Sequence, residues 1–182
     1  LKVWKNKIKD GVSIGAGIAL YSSSSPLIRH VEISENAGLF PWENNSHWMG
    51  GSGIFCSNSN PVIEYVSIKK DTANAGAGIL LINSSPTISN TIVEENWAYV
   101  QGGGISCVSS SPIISNTSIL NNIGIGGLAI ENSSNPTLTE LIISGNSGAN
   151  EGGGISCMNA SLNISNSIIS NNSAFEGGGV GG

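Results

Sequence analysis

The chain has 182 residues, 39% of them hydrophobic and 10% charged, with a net charge of −5. Its seven Lys and Arg all lie at or before Lys70, so most of its length lacks the cations with which a nucleic-acid or anionic-membrane partner would be met, and both are excluded. No apolar run approaches the roughly 20 residues that cross a bilayer, and no signal-peptide pattern opens the chain.

The first residues, LKVWKNKIKD, read as the tail of a repeat, a partial coil over 1–16. A Gly-apolar step at Ile18 then returns at Ile54, Ile79, Ile105, Leu128, Ile155 and Val180, at intervals of 36, 25, 26, 23, 27 and 25 residues. It is plainest as GGGISC at 102–107 and 152–157. Repeats of this length cannot bury a hydrophobic face alone and imply a stacked solenoid. Two residues past each anchor sit Leu20, Cys56, Leu81, Cys107, Ile130 and Cys157. Period-two alternation puts both columns on one inner face.

A Ser/Asn-rich corner follows, closed by Pro26, Pro61, Pro86, Pro112 or Pro136, with Leu162 in the sixth repeat. Beyond it lie two more apolar columns, Ile28, Ile63, Ile88, Ile114, Leu138, Ile164 and Ile33, Ile68, Val93, Ile119, Ile143, Ile169. Three short strands per repeat are predicted. A polar column, Asn36, Asp71, Asn96, Asn122, Asn146 and Asn172, predicts an amide ladder in which each rung donates to the next. A second polar column holds His30, Tyr65, Asn90, Asn116, Glu140 and Asn166. The last residues, 177–182, open another repeat and stop. Both ends read as cut, and the expected organisation is a single β-helix domain over 1–182, a segment of a longer protein.

These columns resemble the right-handed parallel β-helix repeats of the pectate-lyase-like superfamily and of bacterial surface proteins. The resemblance implies an all-β, single-stranded solenoid of about seven coils of roughly 25 residues, forming a rod roughly 30 Å long at the spacing of neighbouring strands. It implies an extracellular or cell-surface, bacterial location. It leaves the chemistry open, because one coil type carries lyases, hydrolases and adhesive stalks alike.

The cysteines alternate with Leu81 and Ile130, so neighbouring thiols stand about 9.6 Å apart, beyond disulfide reach, and are predicted to be free and buried. The register sets Arg29 opposite Glu64, Lys69 beside Glu94, and Lys70 between Glu35 and Glu95, as ordinary cross-strand pairs. No unencumbered cationic base stands beside a carboxylate cluster, and Asp10 and Asp71 are the only aspartates. No serine or cysteine has a register partner in His30 or His47, the only histidines. No catalytic residue is assigned.

The single long interval carries an insertion of about eleven residues within 38–51, holding Phe40, Trp42, His47 and Trp48. Two coils on, Trp97 and Tyr99 occupy the same corner, with the short turn 72–75 between them. Aromatic faces beside amides and Glu43 suit the stacking and hydroxyl contacts of a sugar, in a groove floored by Ala73, Asn74 and Ala75. The six aromatic and His residues form the candidate ligand site; the alternative is that they cover the coil edge. Glu151 and Glu176 stack three residues before their anchors, with Gln101 in the same column, and form a weak Ca2+ candidate against the reading of solvated carboxylates.

The expected function is a non-catalytic stalk or adhesin-like module with a polysaccharide or cell-surface glycan as partner and no cofactor. The rival is a calcium-dependent polysaccharide lyase or glycoside hydrolase of the same fold. End-to-end self-association through unpaired strand edges is a third expectation.

Overall fold

The computed structural model describes residues 1–7, 17–38, 50–148 and 152–182. Every strand pair is parallel, and each strand lies directly over the equivalent strand one repeat away. The first sheet stacks Ile18–Tyr21, Ile54–Ser57, Ile79–Ile82, Ile105–Val108, Leu128–Glu131, Ile155–Met158 and Val180–Gly181. The second stacks Leu27–Arg29, Val62–Glu64, Thr87–Ser89, Ile113–Ser115, Thr137–Thr139 and Asn163–Ser165. The third begins with Lys2–Trp4 and continues through Glu32–Ser34, Ser67–Lys69, Ile92–Glu94, Ser118–Leu120, Ile142–Ser144 and Ile168–Ser170.

The strand pairing reproduces the predicted columns rung by rung: Ile79 lies between Ile54 and Ile105, Ile88 between Ile63 and Ile114, Val93 between Ile68 and Ile119. These side chains converge on one continuous core in which Ile33, Ile54, Ile63, Ile68, Ile79, Leu81, Ile88, Ile105, Ile114 and Ile119 are fully buried. Each such side chain contributes roughly 1.5–3 kcal/mol relative to exposure, and no single repeat could enclose it.

Two expectations change. The solenoid completes about six turns with partial turns at either end, rather than seven coils. Five coils also carry a fourth strand beyond the three expected, in a sheet that stacks Ala37–Gly38, Thr72–Ala73, Trp97–Ala98, Ile123–Gly124 and Ser147–Gly148. Its inward residues are Gly or Ala, too small to make an apolar column. That is why it escaped the periodicity.

The coil turns at corners made by one left-handed residue. His30, Tyr65, Asn90, Asn116, Glu140 and Asn166 all have φ between 44° and 55°, so the second polar column is a backbone corner first. Asn tolerates that region best, which accounts for its frequency there. His30 stacks on Tyr65 at 5.2 Å between ring centroids, and the Arg29 guanidinium lies 5.7 Å from the Tyr65 ring.

The amide ladder forms as predicted and extends to Asn6. At each regular rung the side-chain oxygen accepts from the backbone N–H and the side-chain amide of the preceding rung, as Asn122 does from Asn96, both at 3.0 Å. The free amide hydrogen is given to a carbonyl of the coil before: Asn122 to Val93 at 2.9 Å, Asn146 to Ile119 at 2.9 Å.

Candidate functional site

In Trp97-Ala98-Tyr99, strand alternation turns Ala98 inward, where it is buried, and the two rings outward. Trp97 lies in register between Thr72 and Ile123 on neighbouring coils. Backbone hydrogen bonds clip the segment to the turn beneath it, Trp97 N–H to the Asp71 carbonyl at 2.9 Å, Tyr99 N–H to Ala73 at 3.1 Å and Val100 N–H to Asn74 at 2.8 Å. The rings meet edge to face, 5.7 Å between centroids and 82° between planes. Trp97 is 37% exposed, Tyr99 51% and Ile123 50%. Together they make one apolar surface on a rod that also exposes Leu27, Val62, Ile92, Ile113, Ile142 and Ile168 at outward strand positions.

A shallow depression of about 200 Å3 opens beside them, lined by Trp97, Tyr99, Ile123, Gly124, Ser147 and Gly148. A Cβ on Gly124 would stand 2.3 Å from the Gln101 carbonyl oxygen and 2.5 Å from the Gly103 nitrogen, so the strand can lie this close to the loop over it only without a side chain. The depression lies toward the later coils. On the side expected to hold the groove floor, Ala73 and Ala75 are fully buried and only Asn74 is partly exposed. Phe40, Trp42, Glu43, His47 and Trp48 lie outside the described residues, as does Glu151.

Glu176 is exposed, and its backbone carbonyl accepts from Gly152 N–H at 3.1 Å. Among the described residues no three His, Cys, Asp or Glu side chains gather as a metal site. Gln101, placed by the sequence in the Glu151 and Glu176 column, instead donates to Glu131 Oε2 at 3.1 Å and accepts from Ser106 Oγ at 3.3 Å. Burial raises the Glu131 carboxyl above its usual range, against the lowering effect of the Gln101 hydrogen bond. The signal for this contact is Glu131 itself, standing in a column otherwise filled by Tyr21, Ser57, Ile82, Val108 and Met158.

Among the described residues Lys2, Lys5, Arg29, Lys69 and Lys70 are ion-paired at the surface, with two changes of partner. Arg29 meets Glu64 at 3.0 Å as expected. Lys69 lies in register with Glu94 but reaches diagonally to Glu32 at 3.5 Å, and Lys70 meets Glu95 at 3.5 Å while Glu35 turns to Lys5 at 3.6 Å. The cysteines are free. Burial pushes the Cys56 and Cys107 thiols up to about 12, which leaves almost no thiolate at neutral pH. A water-soluble maleimide should therefore label Cys157, the partly exposed one, in the native protein and the other two only after denaturation. Mass spectrometry of the labelled peptides checks this, and native labelling of Cys107 would contradict the packed interior.

A family model described as "right handed beta helix region" matches residues 42–181. No curated protein and no solved structure matches the chain.

Proposed function

The chain belongs to the right-handed beta helix family, and from that premise we propose that it serves as a rigid, non-catalytic segment of a bacterial extracellular or cell-surface protein, binding a glycan at its aromatic corner. The single observation that carries this is the Trp97 and Tyr99 pair, outward-facing beside a glycine-floored depression. Flat aromatic faces stack on the apolar C–H side of a sugar ring, and Ser147 with the neighbouring backbone offers hydroxyl partners. The scaffold supports the same reading: a rod with parallel strands in register along its whole length resists bending and presents one corner at a fixed height.

Titration with a panel of soluble polysaccharides, followed by tryptophan fluorescence, tests the proposal. Trp97→Ala should weaken the responding glycan about tenfold, the loss of one stacking contact of order 1 kcal/mol or slightly more. Silence toward every glycan, or an affinity indifferent to Trp97→Ala, rejects binding here. Turnover of polyuronate or neutral glycan, abolished by Lys69→Ala or Glu151→Ala, would replace the proposal with an enzyme.

A further inference from the structure

One rung of the ladder lacks a donor. Asn6, Asn36, Asn96, Asn122, Asn146 and Asn172 share the column with Asp71, which is fully buried. Its Oδ1 behaves as an asparagine oxygen does, accepting from the Asn36 N–H at 2.7 Å and the Asn36 side-chain amide at 2.8 Å, while its own N–H donates to Asn96 Oδ1 at 2.9 Å. Its Oδ2 stands where the others carry Nδ2. It is the only buried side-chain oxygen or nitrogen without a hydrogen-bond partner among the described residues.

The surroundings of Oδ2 follow from the neighbouring rungs. Nδ2 of Asn96, Asn122, Asn146 and Asn172 donates to the carbonyls of Ile68, Val93, Ile119 and Ile143 respectively, and that of Asn96, Asn122 and Asn146 also to the side-chain oxygen of the next rung. By the pattern of those rungs the Ile33 carbonyl is the counterpart expected at Asp71, and Asn96 Oδ1 already accepts from the Asp71 N–H. Both are acceptors. An ionised carboxylate would set a third acceptor against them in an apolar interior, with Ile68 and Gly53 closing the remaining side.

We propose that Asp71 stands in the ladder as the neutral acid, its Oδ2–H donating as the asparagine amides do, so that this joint between coils is clasped by a proton and loosens when the proton leaves. Among the described residues, the charged groups nearest it face away. Glu35, Lys70 and Glu95, the corner residues beside each rung, have side chains 49%, 60% and 50% exposed and are ion-paired outward. Ile33, Ile68, Ser52 and Gly53 carry no charge, and Lys9, Asp10, Glu43 and His47 lie outside the described residues. Burial is the largest influence on the carboxyl and pushes it up to about 7, against the two Asn36 donors that lower it.

The sign follows from linkage. The folded value lies above the ordinary 3.8, so the rung's contribution is complete below about pH 4, declines as pH rises, and is lost above about pH 7. Most buried carboxylates that are hydrogen-bonded as anions do the reverse. Ser52, whose Oγ donates to the Asn36 carbonyl at 3.3 Å, and Gly53, whose added Cβ would come 2.9 Å from Asp71 Oδ2, lie against this joint. The inference is independent of glycan binding.

Carbon-13 labelling of aspartate side-chain carboxyls tests it directly, because Asp10 and Asp71 are the only two aspartates and Asp71→Asn assigns the signals by removing one. The Asp71 signal should titrate above about pH 6. A midpoint for Asp71 below about pH 6 overturns the proposal. As a second measurement, the Tm of Asp71→Asn should exceed that of the native chain by a margin that widens by about 5 °C or more from pH 4 to pH 8. A margin constant over that range also overturns it.

Discussion

Asn122→Ala is expected to cost about 3–5 kcal/mol, from two or three buried groups each losing its partner at about 1–3 kcal/mol. Asn122 is fully buried in the middle of the ladder. Its side-chain oxygen accepts from Asn96 N–H and Nδ2, both at 3.0 Å, and its amide donates to Val93 O at 2.9 Å and Asn146 Oδ1 at 3.0 Å. Alanine removes all four contacts and leaves the Asn96 N–H, the Asn96 amide and the Val93 carbonyl facing a void too dry to hydrate them. The urea midpoint should fall with the m-value unchanged. Asn122→Asp separates the hydrogen-bond cause from loss of volume. Its shape is nearly that of asparagine and it lacks only the donor, so it should approach native stability near pH 4 and lose it toward pH 8. An Asn122→Asp chain as stable at pH 8 as at pH 4 would show that the rung does not need its donor.

Asp71 and Asn122 also show where reading the sequence stops. That position 71 belongs to the ladder is visible from spacing alone. That its second oxygen has no partner emerges only once burial is known, because an Asp at a surface corner would be solvated and unremarkable. The core columns were legible throughout because inward residues repeat at a fixed interval and differ from their outward neighbours in polarity, as Ile88 does between Thr87 and Ser89. The fourth sheet was not, since Gly38, Ala73, Ala98, Gly124 and Gly148 give no apolar signal.

Register was also more legible than contact. Lys69 does stand beside Glu94, yet a long side chain reaches the diagonal neighbour as readily as the direct one, and the ammonium settles by Glu32. The candidate site divides along the same line. Trp97 and Tyr99 stand out because aromatics are scarce, 5% of the chain. The depression over Gly124 and Gly148 depends on which side of Trp97 the chain leaves open, and strand spacing does not encode that.

Gly78→Ala should be among the most damaging small substitutions in the protein, costing about 3 kcal/mol or more by overpacking. The requirement is for space, since Gly78 does not have positive φ. A Cβ there would lie 2.4 Å from the Gly104 carbonyl oxygen and 2.6 Å from Val93 Cγ1. Both are held in place, the carbonyl by the Ile79 N–H at 2.8 Å and the methyl by full burial of Val93. Relief therefore requires the coils to part, which stretches that hydrogen bond and the one from Ile54 N–H to the Gly78 carbonyl at 2.9 Å. Gly179 provides the control, because it precedes its anchor as Gly78 does and a Cβ there meets only Ile169 Cγ2 at 4.0 Å. Gly179→Ala should stay within about 0.5 kcal/mol of the native chain. Urea midpoints for the two variants decide the matter: equal losses would mean that close approach of stacked backbones does not set the glycine column, whereas a large loss at Gly78 alone assigns the cost to the neighbouring coil.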